Sequence, residues 1–146
     1  MNWYIQRIEE IDVKTLYNII ALRVEVFIIE QNCFYQELDY KDFHAMHIYA
    51  TDDHEQVVAY LRVLDAGVSY DEVSIGRVVV SPKFRGQNLG RELMLKGINH
   101  IKTQFGDVPI RISAQAYLID FYKSLGFKSV SEIYLEDDIP HVEMLL

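Results

Sequence analysis

Residues 2–8 alternate loosely between apolar and polar side chains and predict a first strand. Asp12 then has the type and position of an N-cap for a helix running to about Glu30. That helix is apolar nearly all round, with Leu16, Ile19, Ile20, Leu22, Val24, Val26, Phe27, Ile28 and Ile29. Residues 31–44 break the periodicity and read as an irregular or briefly helical connection. Three strands are predicted next, over His47–Thr51, Gln56–Leu64 and Glu72–Val80, with polar turns between them, an antiparallel meander. The last of these ends in Val78-Val79-Val80 and is stopped by Ser81-Pro82. Leu89, Leu93, Met94, Ile98, Ile101 and Phe105 recur at helical spacing, and Gly106 closes that helix. A strand over Pro109–Ala114, a short helix over Ala116–Leu125 stopped by Gly126, and two strands over Phe127–Tyr134 and His141–Leu146 complete the chain. The order βα–βββ–αβ–αββ predicts an α/β fold with a mixed, mostly antiparallel sheet flanked by helices, in a single domain over 1–146.

Composition narrows the function classes. The formal net charge is −8, from 22 acidic against 14 basic residues. Such a chain has no broad basic field for nucleic acid. No apolar run reaches the roughly 18–20 residues that span a bilayer, and Met1–Gln6 lacks the pattern of a secretory signal. A single cysteine, Cys33, leaves no intramolecular disulfide, and a reducing cytoplasm is the expected location. An anionic ligand would therefore need a local site, built from backbone N–H groups and a few cations.

One segment has that chemistry. Strand Val78-Val79-Val80 leads through Ser81-Pro82-Lys83-Phe84 into Arg85-Gly86-Gln87-Asn88-Leu89-Gly90-Arg91 and straight into the amphipathic helix. A helix N-terminus presents unpaired N–H groups and partial positive charge, so this turn can receive a phosphate. Gly86 and Gly90 permit close backbone approach, and Lys83, Arg85 and Arg91 gather three cations in an acidic chain. A dinucleotide fingerprint and a nucleoside-triphosphate loop both fit worse. From glycine spacing alone, an ordinary turn is an equal alternative.

The segment resembles the GNAT superfamily of N-acetyltransferases, in which a Val-rich strand, a Pro and then Arg/Gln-x-x-Gly-x-Gly/Ala bind the pyrophosphate of coenzyme A. Arg85, Asn88 and Gly90 stand at the motif positions, with Asn88 where glycine is usual. Asn tolerates left-handed backbone better than most side chains. Downstream, Gln115-Ala116-Tyr117 through Tyr122 to Gly126-Phe127 resembles a second family segment, with Gln115 replacing the usual Asn. Leu22 to Phe27, Glu30 to Cys33, Asp39 to Asp42 and Glu136 to His141 further resemble the family's ElaA-like branch.

The resemblance implies acetyl-CoA as cosubstrate, no metal, and direct attack of an amine on the thioester. It implies that Val78, Val79 and Val80 pair with pantetheine, and that Arg85, Gly86, Gln87, Asn88, Leu89, Gly90, Arg91 and Gln115 line the cofactor site. Tyr122 is the expected general acid. Glu30, Glu72 or a water chain is the expected base. Arg23 and Glu30, seven positions apart and so on one helical face, are candidate acceptor-binding residues, with a structural pair satisfying one another or the following loop as the alternative. His141 is a candidate on the acceptor side. His47 reads as a structural histidine and Cys33 as a buried thiol. The expected partners are coenzyme A and an amine, with a homodimer considered. A non-catalytic CoA-binding module and an acyl-homoserine-lactone-type synthase are the competing functions.

Overall fold

The computed structural model describes residues 1–146. Its strands are β1 (Asn2–Arg7), β2 (Ala45–Thr51), β3 (Val57–Leu64), β4 (Val73–Val80), β5 (Ile110–Gln115), β6 (Lys128–Ser129), β7 (Tyr134–Glu136) and β8 (Ile139–Leu145). They form one sheet in the order β1-β2-β3-β4-β5-β8-β6, with β7 also paired to β8. All neighbours are antiparallel except β4 and β5. The helices are α1 (Val13–Arg23), α2 (Leu89–Phe105) and α3 (Ile119–Ser124). The single strand expected over 127–134 is two short pieces, β6 and β7, separated by an irregular stretch. The short helix expected from Ala116 begins as a 3₁₀ turn over Ala116–Leu118 before α3.

Every residue of β3 is buried, because helices cover the sheet on both faces. One side of the core packs Leu93, Met94, Ile98 and Ile101 of α2 against Leu61, Ile75, Ile110 and Met144. On the other, Ile19 and Leu22 of α1, with Val26 and Phe27 beyond it, meet Tyr49, Tyr60 and Val79. Gly97 sets how closely α2 approaches: a Cβ there would lie 3.1 Å from Leu61 and 3.3 Å from Ile75 side chains.

Asp12 caps α1 as expected, accepting from the Thr15 amide at 2.8 Å. Past Arg23 the helix widens into a π-helical stretch, Val24–Glu30. There Gln31 N–H donates to the Val26 carbonyl (3.2 Å) and Cys33 N–H to Ile28 (3.1 Å), each reaching back five residues. A wider turn rotates less per residue, so a seven-residue step no longer returns to the same face. Arg23 and Glu30 therefore part company, and the single-face expectation is corrected.

Candidate active site

Strands β4 and β5 pair at only two positions, Val73↔Ile110 and Ser74↔Arg111, and then separate. The cause lies in β4. Tyr60 pairs with Val79 but Arg62 pairs with Gly76, so Arg77 and Val78 together face the single residue Leu61. This is a β-bulge, which bends its strand and increases its twist. Arg77 occupies it at φ +55°, in the left-handed region. Beyond Ser74, β4 has no strand partner on its β5 side. The gap is a cleft of about 580 Å³, lined by Ile75–Val80 on one wall and by Ile112, Ser113 and Gln115 on the other.

One end of the cleft is the turn before α2. Gly86 has φ +79° and open space where a Cβ would stand. Asn88 adopts the left-handed conformation, at φ +61°, so the residue replacing the usual glycine keeps the glycine-like backbone. The first bond within α2 is Glu92 N–H to the Asn88 carbonyl, at 3.1 Å. The amides of Leu89, Gly90 and Arg91 precede it and have no carbonyl one turn back to receive them. Arg85 is held by its Nε on the Val80 carbonyl (3.3 Å) and by Nη1 and Nη2 on Glu30 (2.7 and 2.9 Å). Arg91 Nη1 reaches the Ser124 hydroxyl at 3.3 Å. Arg85, Gly86, Asn88, Leu89, Gly90 and Arg91 line the cleft, whereas Gln87 does not.

A further lining residue is Tyr122, whose ring sits edge-on to Phe121 (5.1 Å) and Phe127 (6.0 Å). Tyr122 is 6% exposed, lines the cleft, and its hydroxyl makes no hydrogen bond within the protein. Burial, followed by the nearby Tyr117, pushes its pKa well above the usual tyrosine value, so the phenol is protonated at neutral pH. Gln115 lines the cleft and exchanges amide hydrogen bonds with Gln31, 3.2 Å in each direction. Gln31 falls in the stretch from Glu30 to Cys33 that resembles the ElaA-like branch, but the sequence alone assigned it no role at the cleft.

Tyr35, Ser113, Glu136, Asp137, Ile139 and His141 also line the cleft, with His141 paired to Gln115 at the end of β5. His141 Nδ1 donates to the Ile139 carbonyl at 2.6 Å, since a carbonyl can only accept. Its Nε2 lies 3.4 Å from Glu136, and its ring stacks on Tyr134 at 6.2 Å. The hydroxyls of Tyr134 and Ser113 are hydrogen-bonded to one another. Asp137 and Asp138 turn β7 into β8, both with positive φ, and the Asp137 carbonyl accepts from the Cys33 thiol at 3.1 Å.

Three of the carboxylate and cation candidates lie elsewhere. Arg23 is 1% exposed and lines no part of the cleft. Its guanidinium is spent on Glu37 (Nε and Nη2) and Asp42 (Nη1 and Nη2), at 2.9–3.2 Å. Glu30 is outside the lining, and its hydrogen bonds from Arg85 hold its carboxyl below the usual range. Glu72, bonded to Arg111 at 2.9 and 3.0 Å, is held low in the same way. A general base works best with a pKa near the operating pH, and neither glutamate has the environment for one.

His47 is buried as expected, with Tyr60 Oη on Nδ1 (2.6 Å) and the Asp42 carbonyl on Nε2 (2.9 Å). Arg77 belongs to the site and was missed. The one visible signal was Gly76, an isolated glycine inside a strand pattern, which often marks a bulge.

Comparison with known proteins agrees with this geometry. The family described as "Acetyltransferase (GNAT) domain" matches residues 13–146. Protein ElaA of Escherichia coli is 40% identical over 146 residues, covering 99% of this chain and 95% of that protein. The crystal structure of an acyl-CoA N-acyltransferase from Pseudomonas aeruginosa superposes with a TM-score of 0.92 at 41% identity, covering 99% of both chains. An aminoglycoside 6′-N-acetyltransferase complexed with coenzyme A shares the fold, with a TM-score of 0.75 at 14% identity over 100% of this chain and 96% of that one.

Proposed function

The chain belongs to the GNAT acetyltransferase family, in its ElaA-like branch, and is an acyltransferase; from that premise we propose that it transfers an acetyl group from acetyl-CoA directly to a neutral amine of an acceptor that carries a further positive charge. The parting of β4 from β5 carries the reading. It leaves an unpaired strand edge in a cleft that the α2 N-terminus, Tyr122 and the acidic hairpin also line.

Acetyl-CoA supplies the electrophile, a thioester carbonyl. The amides of Leu89, Gly90 and Arg91, with Arg85, bind its pyrophosphate at the positive end of a 17-residue helix. The edge Val78–Val80 pairs with the pantetheine amides like an added strand, and one of its backbone N–H groups stabilises the oxyanion. Gln115 lines the opposite wall. The attacking nitrogen forms the new N–C bond and releases a proton to solvent water as the C–S bond breaks, and the sulfur gains one. Tyr122 faces that sulfur. A phenol pushed up by burial surrenders its proton reluctantly, so its contribution is hydrogen-bond donation to the departing thiolate, with proton transfer completed as the phenol is resupplied. His141, with Nδ1 fixed on a carbonyl and Nε2 beside Glu136, lines the cleft that receives the amine. Glu136 and Asp137 give the cleft beside His141 a negative potential that favours an ammonium-bearing acceptor.

Three measurements test this. CoA at a hundred times its Kd should stabilise the protein by about 2.7 kcal/mol by mass action. Unchanged melting at millimolar CoA defeats the cofactor assignment. Acetyl-CoA consumption across polyamines, amino sugars, amino acids and peptides should favour acceptors carrying a second positive charge. A preference for anionic acceptors defeats the acceptor class. Tyr122→Phe should retain CoA affinity and slow acetyl transfer by about 10²–10⁴-fold, read in a single turnover.

A further inference from the structure

A bulge residue at φ +55° is ordinarily glycine or asparagine, and an arginine there is strained by about 1–2 kcal/mol. Such strain persists only where the surroundings over-determine the conformation. Around Arg77 they do. Its Nε is hydrogen-bonded to Glu37 Oε2, and its Nη2 donates to the Glu37 carbonyl at 2.8 Å and reaches Asp39 Oδ2 at 3.4 Å. Its guanidinium lies 5.7 Å from the Tyr35 ring centroid. Glu37 is itself immobile, being 4% exposed and gripped by Arg23 through three contacts of 2.9–3.2 Å. The anchor thus runs from α1, through Glu37, to the one place where β4 departs from regular pairing.

We propose that Arg77 and Glu37 are positioning residues for acetyl transfer, holding the β4 bulge so that the Val78–Val80 backbone faces the thioester. The inference rests on the acetyl-CoA reading above. Its logic is geometric. The phosphate end of the cofactor site is built at α2 and needs no bulge, whereas the edge beside Tyr122 takes its direction from it. Loss of the anchor lets residue 77 relax toward ordinary strand conformation, which turns the following N–H groups and narrows the separation from β5. Misplacement on the order of 1 Å costs about 10²-fold in rate.

The test measures CoA affinity by calorimetry, single-turnover acetyl transfer, and melting temperature for the wild type, Arg77→Ala, Arg77→Lys and Glu37→Gln. In Arg77→Ala, Glu37 keeps its fork to Arg23, so the protein stays folded. CoA affinity should fall only a few-fold, because the pyrophosphate contacts at α2 are untouched and only pantetheine pairing is disturbed, while transfer slows by about 10–100-fold. Arg77→Lys keeps the charge but not the planar fork that serves both carboxylate and carbonyl, and should recover only part of the rate. Glu37→Gln should slow transfer like Arg77→Ala. Wild-type transfer in Arg77→Ala overturns the proposal, as does a rate loss matched by equal loss of CoA affinity. If Arg77→Ala does not fold, Arg77→Lys decides: wild-type transfer there overturns the proposal. Failure of the wild-type protein to bind CoA defeats the acetyl-CoA reading instead, which separates the two.

Discussion

The turn before α2 and the cluster beneath residues 37–42 both gather arginines, yet their charges do different things. At the turn, Arg85 is 44% exposed and pairs with a glutamate exposed to about the same degree, and the backbone amides beside it have no partner in their own helix. Charge there is available to a ligand. In the cluster, Arg23, Arg62 and Arg77 face Glu37, Asp39 and Asp42, three cations against three carboxylates, nearly all out of solvent. Charge there is consumed internally. It ties the segment before β2 to α1, β3 and β4 at once. A cation's partner and its burial, rather than its presence, decide whether it binds or builds.

The sharpest way to break the contrast is Asp42→Ala. Asp42 accepts from Arg23 Nη1 and Nη2 (2.9 and 3.1 Å) and from Arg62 Nη1 (3.0 Å). Its removal leaves buried guanidinium groups undercompensated, at a cost of about 3–5 kcal/mol, measurable as a drop in the urea midpoint. A loss under 1 kcal/mol shows the cluster to be peripheral.

Acidification probes the same cluster without mutation. Burial, with Arg23 and Arg62 behind it, keeps the folded-state pKa of His47 below its ordinary 6.5. The unfolded chain therefore takes up the proton first, and stability complete above about 6.5 declines as pH falls below it. Protonation also forces Nδ1 to donate toward Tyr60, whose hydroxyl now donates to it. A second loss begins near 3.8, where the unfolded aspartates titrate. Burial opposes ionisation of Asp42 and Asp39, but the hydrogen bonds and charges of Arg23 on Asp42, and of Arg62 on both, hold their folded-state pKa values lower. A urea midpoint flat between pH 7.5 and 5.5 counts against the His47 assignment.

At the turn the expected signature is inverted. Arg85→Ala should weaken CoA binding about tenfold or more, as loss of a charge-assisted hydrogen bond does. Stability should move by less than about 1 kcal/mol, because an exposed ion pair is worth little. Equal damage to both would make Arg85 a structural residue like Arg23. The smallest effect belongs to Asn88, whose left-handed backbone suits Gly or Asn alike. Asn88→Gly should change stability by no more than about 1 kcal/mol, whereas the β-branched Asn88→Val should lose about 1–2 kcal/mol. Identical melting curves for the two would show that the turn tolerates other backbone conformations.

Sequence by itself determined the order of elements, the meander, the α2 periodicity and the anion-ready turn, because these depend on neighbours within a few residues. Asp12, Gly86, Asn88, Gly106 and Gly126 each do locally what their residue types permit. Tertiary structure alone decided the partners. Seven residues separate Arg23 from Glu30, but a π-helical stretch turns one into the core and the other toward Arg85. Ile19, Leu22, Arg23, Val26 and Phe27 all share the buried face. An arginine among those apolar positions was the available hint of a buried network; its carboxylates, 14 and 19 residues away, were not. The parting of β4 from β5 depends on a bulge held by Glu37, 40 residues earlier in the chain. Local propensity is written in consecutive residues, whereas a contact across such distances exists only once the chain has closed the loop that brings it together.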